Sequence, residues 1–120
     1  MGLFSRLFAG AKSSIPPKQA YEAHAKGAIL VDVRENNEWE AGHAPKVRHI
    51  PLSRLGQRAR ELPKNRPVVL VCRSGSRSAQ GVKILAGQFD DLVDVKGGMN
   101  AWVAIGLPVV TRGGGSGRII

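Results

Sequence analysis

The chain has 120 residues, 42% of them hydrophobic and 22% charged, which is the size and composition of one globular domain with its own core. Its one cysteine excludes a disulfide framework and a multi-cysteine zinc site, asks for no oxidising compartment and fits a cytoplasmic location, and no apolar run approaches the roughly 18 residues of a membrane-spanning helix. The net charge of +9 falls almost wholly in residues 41–80, which carry nine basic side chains and one acidic one; such a field excludes a cation-seeking surface there and suits a small anion, nucleic acid, a membrane or an acidic protein, against the plain alternative of a solvated basic face.

Residues 1–14 read as an N-terminal extension. Leu3, Phe4, Leu7, Phe8 and Ala11 form one helical stripe. Such a stripe suits a membrane surface, but packing on the body or fraying is the preferred reading for so short a helix. Arg6 interrupts the apolar run and stands where a myristoylation signal needs Ser or Thr, so neither a signal peptide nor that lipid anchor is expected. Residues 15–110 read as the folded body. Pro16-Pro17 opens a helix through Gln19, Ala20, Ala23 and His24, which Gly27 closes. Ala28 to Val33 is a buried strand. Asn36 caps a short helix to Ala41. Val47 to Ile50 is a short strand, and Leu52, Leu55, Ala59 and Leu62 mark a helix. Val68 to Val71 is the strongest strand. Ser78 to Leu85 is a helix with Ala79, Val82, Ile84 and Leu85 facing in. Leu92 to Val95 is a strand and Met99 to Ile105 a short helix. Continuous β-branched strands separated by helices imply an α/β fold, a parallel sheet covered on both faces. Residues 111–120 contain Gly113-Gly114-Gly115-Ser116-Gly117 and read as a flexible tail.

The cysteine ends the strongest strand. Val68 to Val71 runs into Cys72-Arg73-Ser74-Gly75-Ser76-Arg77-Ser78, and then a helix begins. Ligands of open α/β sheets bind outside the carboxyl ends of the strands, and a helix N-terminus there offers free amides and a positive dipole end. Gly75 frees the loop to curl its amides inward as an anion nest, and Arg73 and Arg77 add cationic forks. An ordinary thiol is only about 3% ionised at pH 7; amides and cations around a cysteine raise that share, so no separate base is required. A lone cysteine is commonly a small core residue, but this one sits among charged and turn residues.

Several segments then resemble one family, in its order and spacing. They are Val31-Asp32-Val33-Arg34-Glu35, Glu38-Trp39, Gly42-His43, Ile50-Pro51-Leu52, the cysteine loop, and Gly97-Gly98-Met99-Asn100-Ala101-Trp102 with Gly106-Leu107-Pro108-Val109. Together they resemble a single-domain rhodanese over roughly residues 15 to 110. The resemblance implies the three-layer rhodanese fold, a mostly parallel, roughly five-stranded sheet with helices on both faces. It implies a sulfurtransferase that moves sulfane sulfur from thiosulfate or a similar donor to cyanide, a small thiol or a protein thiol through a Cys72 persulfide. The alternative is a carrier or docking module that passes persulfide sulfur between protein partners. In this reading Cys72 is catalytic, while Arg73, Ser74, Gly75, Ser76 and Arg77 bind the donor. Ser78, Asp32 and Arg34 support them, and no cofactor, metal or nucleic acid is expected. Lys46-Val47 stands where that family commonly has Gly-Ala, which is expected to alter the local turn.

The remaining polar and aromatic residues are read as structural. The resemblance implies that Asp32 and Arg34, joined by Glu38, are structural and tie neighbouring loops together. His43 and His49 lack the further ligands a metal needs, and His43 is a turn or packing residue. Trp39 and Trp102 are core anchors. Arg54, Arg58, Arg60, Lys64 and Arg66 form a basic face without interleaved aromatic platforms, so a solvated face or docking of an acidic sulfur acceptor is preferred over nucleic acid. Phosphatase-type cysteine–arginine loops resemble this one but carry five residues between the two, whereas this loop has four. Mercaptopyruvate-type relatives end the loop in small uncharged residues, so Arg73 and Arg77 point to thiosulfate.

Overall fold

The computed structural model describes residues 13–120; the apolar stripe at residues 1–12 lies outside them. A parallel sheet is built from β1 (Ser14–Ile15), β2 (Ile29–Asp32), β3 (Arg48–His49), β4 (Val68–Val71) and β5 (Leu92–Val95). The strand order is β1-β5-β4-β2-β3, and each neighbouring pair is parallel. Among the described residues four helices connect the strands, α1 (Pro17–Ala25), α2 (Asn36–Ala41), α3 (Leu52–Arg58) and α4 (Ser76–Ile84), and α5 (Gly98–Ala104) follows β5.

The alternation of side chains along each strand divides the core in two. Leu30, Val69, Val71, Val93 and Val95 face one side with Ala20, Ala23, Met99 and Trp102 of α1 and α5. Ile29, Val31, Val68 and Leu70 face the other with Leu55 of α3 and Leu85. β2 and β4 are buried at all four positions each, as a sheet covered on both faces requires. Trp102 is the largest fully buried side chain; its Nε1–H donates to the Pro108 carbonyl at 2.9 Å, which satisfies its polar edge.

Four local expectations are corrected. β1 is an added strand, too short to show a period of its own. The inward face of α4 carries Ser78, Gly81 and Leu85, whereas Ala79 is exposed and Ile84 is 43% exposed; the helix starts at Ser76, two residues earlier than expected, and its face is set by closeness to Leu70 and Leu55. α2 is capped by Glu35, not Asn36, through a capping box in which Glu35 and Glu38 each accept from the other's backbone amide. Residues 111–120 are not a loose tail. The Arg118 amide donates to the Ala41 carbonyl at 2.9 Å, the Gly117 amide to Val109 at 3.0 Å, and Ile119 packs on the α1/α5 side of the core. A Cβ on Gly42 would lie 2.5 Å from the Arg118 backbone, and one on Gly117 2.7 Å from Gly42. Glycine serves close backbone approach here rather than flexibility.

The turn before β3 keeps a left-handed shape. Lys46 has φ 59°, a conformation that costs a side-chain-bearing residue about 1–2 kcal/mol. Lysine thus stands in a backbone geometry that glycine adopts freely.

Candidate active site

β4 delivers Cys72 to the carboxyl edge of the sheet, next to Val33 at the end of β2, whose amide donates to the Val71 carbonyl at 2.9 Å. Cys72 is only 1% exposed. The chain then turns through Arg73 and Ser74, both exposed, to Gly75 at φ +113°. That left-handed residue reverses the loop and aims the Gly75 amide at the Cys72 sulfur, 3.0 Å away. α4 begins at the next residue, with no side chain capping its first turn. Its first-turn amides therefore have no side-chain cap, and its positive dipole end starts one residue after the Gly75 amide. Sequence reasoning anticipated a nest of several inward amides; one, from Gly75, contacts Sγ.

α5 holds the loop from the other side. The Met99 amide donates to the Cys72 carbonyl at 2.8 Å and the Asn100 amide to the Arg73 carbonyl at 2.9 Å. These bonds satisfy two of the free first-turn amides of α5 and fix the backbone that carries Cys72. Gly98 makes the approach possible, since a Cβ there would lie 2.4 Å from the Cys72 carbonyl oxygen.

Arg77 is placed differently from the expectation of a free substrate fork. Its Nη1 and Nη2 donate to Glu38 Oε1 and Oε2 at 2.6 and 2.8 Å, a bidentate pair that joins α4 to α2. Hydrogen bonding to Arg77 is the largest cause that lowers the Glu38 pKa to about 2, and the same bond, with a smaller contribution from Cys72, raises that of Arg77. Glu38 therefore does not join Asp32 and Arg34. It ties the cysteine loop to α2, a contact between residues 39 positions apart that no local pattern announces.

Glu38 is deprotonated more readily folded than unfolded, so its contribution is complete above the ordinary carboxylate range and is lost as pH falls from about 4.5 to about 2. Glu38→Gln flattens that part of the stability curve. Chemical denaturation at a series of acidic pH values checks it; a slope equal to that of the wild type would remove Glu38 as the cause.

Asp32 and Arg34 are both fully buried and paired, Arg34 Nη2 to Asp32 Oδ2 at 2.7 Å, and Arg34 Nη2 also donates to the Gly42 carbonyl at 2.7 Å. Their bonds tie β2 to the segment after α2 rather than to the cysteine. His43 accompanies them as a packing residue, with Nδ1 2.7 Å from the Trp39 carbonyl. Trp39 is half-buried rather than a full core anchor. It stacks on His43 at 3.9 Å, with the Arg112 guanidinium 4.9 Å from its ring. In the basic face, Arg58 pairs with Glu61 and Lys64 lies over Phe89. Among the described residues no three His, Cys, Asp or Glu side chains are grouped to hold a metal, and no helix is long and apolar enough to cross a membrane.

Two residues at the site were not anticipated in their roles. Ser78, expected only as support, places Oγ 3.4 Å from the Cys72 sulfur and donates to Asp94 Oδ2 at 2.8 Å. Asp94 is 3% exposed, and its Oδ1 accepts from Ser14 Oγ at 2.6 Å. The available signal was a lone carboxylate inside the apolar run Leu92-Val93-Asp94-Val95, since a buried charge must find donors.

Fold and loop together define an α/β protein whose one cysteine is set in a tight turn between a central parallel strand and a helix. The chain belongs to the rhodanese-like domain family, whose model matches residues 16–105. A protein named thiosulfate sulfurtransferase GlpE from Pseudomonas syringae pv. syringae is 37% identical over 89 residues, 73% of this chain and 84% of that one. A putative sulfur carrier protein, YrkF of Bacillus subtilis, is 39% identical over 74 residues, 61% of this chain and 40% of its own length. The crystal structure of a rhodanese-related protein from Thermoplasma volcanium superposes with a TM-score of 0.76 at 33% identity, covering 82% of this chain and 98% of that one.

Proposed function

We propose that the protein is a rhodanese-type sulfurtransferase that takes sulfane sulfur from thiosulfate and carries it as a Cys72 persulfide. The Cys72 thiolate attacks the outer sulfur of thiosulfate. A bond from Sγ to that sulfur forms, the sulfur–sulfur bond of the donor breaks, and sulfite leaves with its electron pair. A second nucleophile (cyanide, a small thiol or a protein thiol) then attacks the outer sulfur and returns Cys72 as thiolate, a two-step covalent exchange. The observation that carries this reading is the Gly75 amide 3.0 Å from a sulfur that is nearly inaccessible. An N–H so placed favours a thiolate and stabilises charge on the transferring sulfur. Arg73, Ser74 and Ser76 are exposed around the mouth of the turn, where Arg73 receives the anionic end of the donor. Arg77 contributes through its field while bound to Glu38. Asp32 and Arg34 brace the neighbouring strand end. With one cysteine in the chain, the acceptor is external, and a reducing compartment such as the cytoplasm suits the free thiol.

Intact mass after thiosulfate treatment tests the first half-reaction. One added sulfur atom, removed by cyanide, is expected; no mass gain would overturn the proposal. Substrate choice tests the loop. Four residues separate Cys72 from Arg77, and one residue more adds up to about 3.5 Å of chain. A turn shorter by one residue leaves room for a single sulfur over Cys72 and is expected to be too tight for a tetrahedral phosphate. Thiosulfate is therefore expected to exceed 3-mercaptopyruvate in kcat/KM by at least about tenfold, the worth of one charged hydrogen bond, with no aryl phosphatase turnover. Preference for mercaptopyruvate, or phosphatase turnover dependent on Cys72, would sink the argument.

The second reading is a persulfide carrier that passes sulfur between proteins. The likeness to the sulfur carrier protein and the net charge of +8 in residues 41–80, suited to an acidic acceptor, favour it. Poor thiosulfate turnover together with fast transfer from preloaded Cys72 to a protein thiol would select it.

A further inference from the structure

The described hydrogen bonds continue from the cysteine into the sheet. Cys72 Sγ lies 3.4 Å from Ser78 Oγ, Ser78 Oγ 2.8 Å from Asp94 Oδ2, and Asp94 Oδ1 2.6 Å from Ser14 Oγ. The line crosses from β4 through α4 to β5 and ends at the edge strand β1. Cys72, Ser78 and Asp94 are 1%, 0% and 3% exposed, so water does not compete for the bonds among these three, whereas Ser14 at the far end is exposed.

A serine hydroxyl has one hydrogen and two lone pairs. Two acceptors lie near that of Ser78: Asp94 Oδ2 at 2.8 Å and the Gly75 carbonyl at 3.2 Å. The carboxylate is both nearer and charged, and charge-assisted bonds are roughly twice as strong as neutral ones. The hydrogen therefore points at Asp94. What Ser78 turns towards Cys72 is a lone pair, which accepts from a thiol S–H and has nothing to give a thiolate. The Gly75 amide acts in the opposite sense, because an N–H favours the thiolate. Two groups of opposite preference thus meet at one sulfur.

We propose that Asp94 is a positioning residue that acts through Ser78 to restrain the ionisation of Cys72. By fixing Ser78 as an acceptor, it holds the unloaded cysteine in its thiol form against the pull of the loop. Its own negative charge, one hydroxyl away from the sulfur, works in the same direction. The unloaded thiol is thereby shielded from stray oxidation, which attacks the thiolate. In the loaded state Sγ is bonded to the outer sulfur and has no proton, so the restraint does not act on the persulfide. When the acceptor removes the outer sulfur, the electron pair of the broken bond returns to Sγ. The sulfur then takes a proton from solvent, and the S–H bond to Ser78 re-forms. The charged side chains on the segments around Cys72 are Arg73 in the loop, Arg77 on α4, Asp94 and Lys96 in and after β5, the Asp32–Arg34 pair at the end of β2, and Glu35 and Glu38 at the start of α2. Arg77 is committed to Glu38, and Asp32 and Arg34 to each other. Asp94 is the anion hydrogen-bonded into the site.

This rests on Cys72 being the reactive thiol of the proposed transfer, but the test does not use that activity. Because the chain has one cysteine, the rate of alkylation by iodoacetamide as a function of pH reports Cys72 alone. Asp94→Asn removes the charge and lets the side-chain amide donate to Ser78, which frees the hydroxyl to donate to sulfur. The midpoint of the profile is expected to move down by about one unit, so that alkylation near neutral pH speeds up about tenfold. In a Ser78→Ala background the same substitution is expected to move the midpoint by less than half as much, because the link is gone. An unchanged midpoint, an upward shift, or an equal shift without Ser78 would each overturn the proposal. If Asp94→Asn does not fold, Ser14→Ala reads the line from its far end. With one hydroxyl removed, the carboxylate holds Ser78 harder, and alkylation near neutral pH is expected to slow about twofold to threefold; faster or unchanged alkylation would overturn the proposal. Loss of thiosulfate turnover with these shifts intact would count against the proposed function and not against the restraint.

Discussion

Cys72→Ser is expected to abolish sulfur transfer and to leave the fold intact. Serine is nearly isosteric with cysteine, and its hydroxyl takes over the Gly75 amide as donor and Ser78 as acceptor, both of which now contact Sγ. Cys72 contributes to the core on the α3/α4 side, so exchange of sulfur for oxygen costs stability, but on the scale of about 1 kcal/mol typical of a conservative buried change. The chemistry does not survive. A free thiol ionises near pH 8.5 and its thiolate is strongly nucleophilic, whereas a serine hydroxyl needs an adjacent base to attack at all, and no histidine is hydrogen-bonded to this position. Removal of a nucleophile from such a site costs well over about 10³-fold. Thiocyanate formation from thiosulfate and cyanide, measured beside thermal unfolding, checks both halves. A folded serine variant with a substantial fraction of wild-type turnover would refute the assignment of Cys72.

Gly98→Ala is the second large effect. Gly98 has φ +59°, and a Cβ there would stand 2.4 Å from the Cys72 carbonyl oxygen and 2.6 Å from the carbonyl carbon and oxygen of Arg73. These are backbone atoms of the loop and no rotamer change moves them aside. Either α5 retreats, which breaks the Met99 and Asn100 amide bonds to Cys72 and Arg73, or the loop shifts and carries the sulfur off the Gly75 amide. A displacement of about 1 Å at a reacting group costs on the order of 10²-fold in rate, so kcat/KM is expected to fall at least that far. Stability is expected to fall by roughly 2–4 kcal/mol, the range of strained and overpacked sites. Gly87→Ala is the control. Gly87 shares the left-handed backbone at φ +81° but has nothing within 4 Å of its Cβ position. It pays backbone strain of about 1–2 kcal/mol and keeps its turnover. Equal behaviour of the two alanine variants would mean that contact with the loop is not what Gly98 provides.

The Glu38–Arg77 pair marks a limit of sequence reading. Arg77 was legible as a cation near Cys72 because it lies in the loop itself. That a carboxylate from α2 holds its guanidinium depends on how α2 and α4 settle over the sheet edge, and a separation of 39 positions leaves no periodicity to read. Trp39 shows the same limit. Its size suggested the core, yet it lies half-buried against His43 and Arg112, and the second of these partners comes from the segment expected to be loose.

By itself the sequence determined the alternation of elements, four of the five helices within a residue or two of their ends, and the buried strands β2, β4 and β5; the helix expected to run from Leu52 to Leu62 ends at Arg58 and tightens into a 3-10 turn over Ala59–Glu61. The elements so determined follow from local periodicity and from β-branched runs, which report burial on both faces directly. It also determined that the one cysteine ends the central strand in a turn rich in arginine, serine and glycine. Tertiary structure alone decided the rest. β1 forms because β5 offers an edge, the glycine-rich end docks because Gly42 and Gly117 let two backbones touch, and Ser78 reaches Asp94 because α4 packs over β5. Each is a contact between distant segments, whose energy depends on a geometry that no stretch of chain contains until the sheet has brought both sides together.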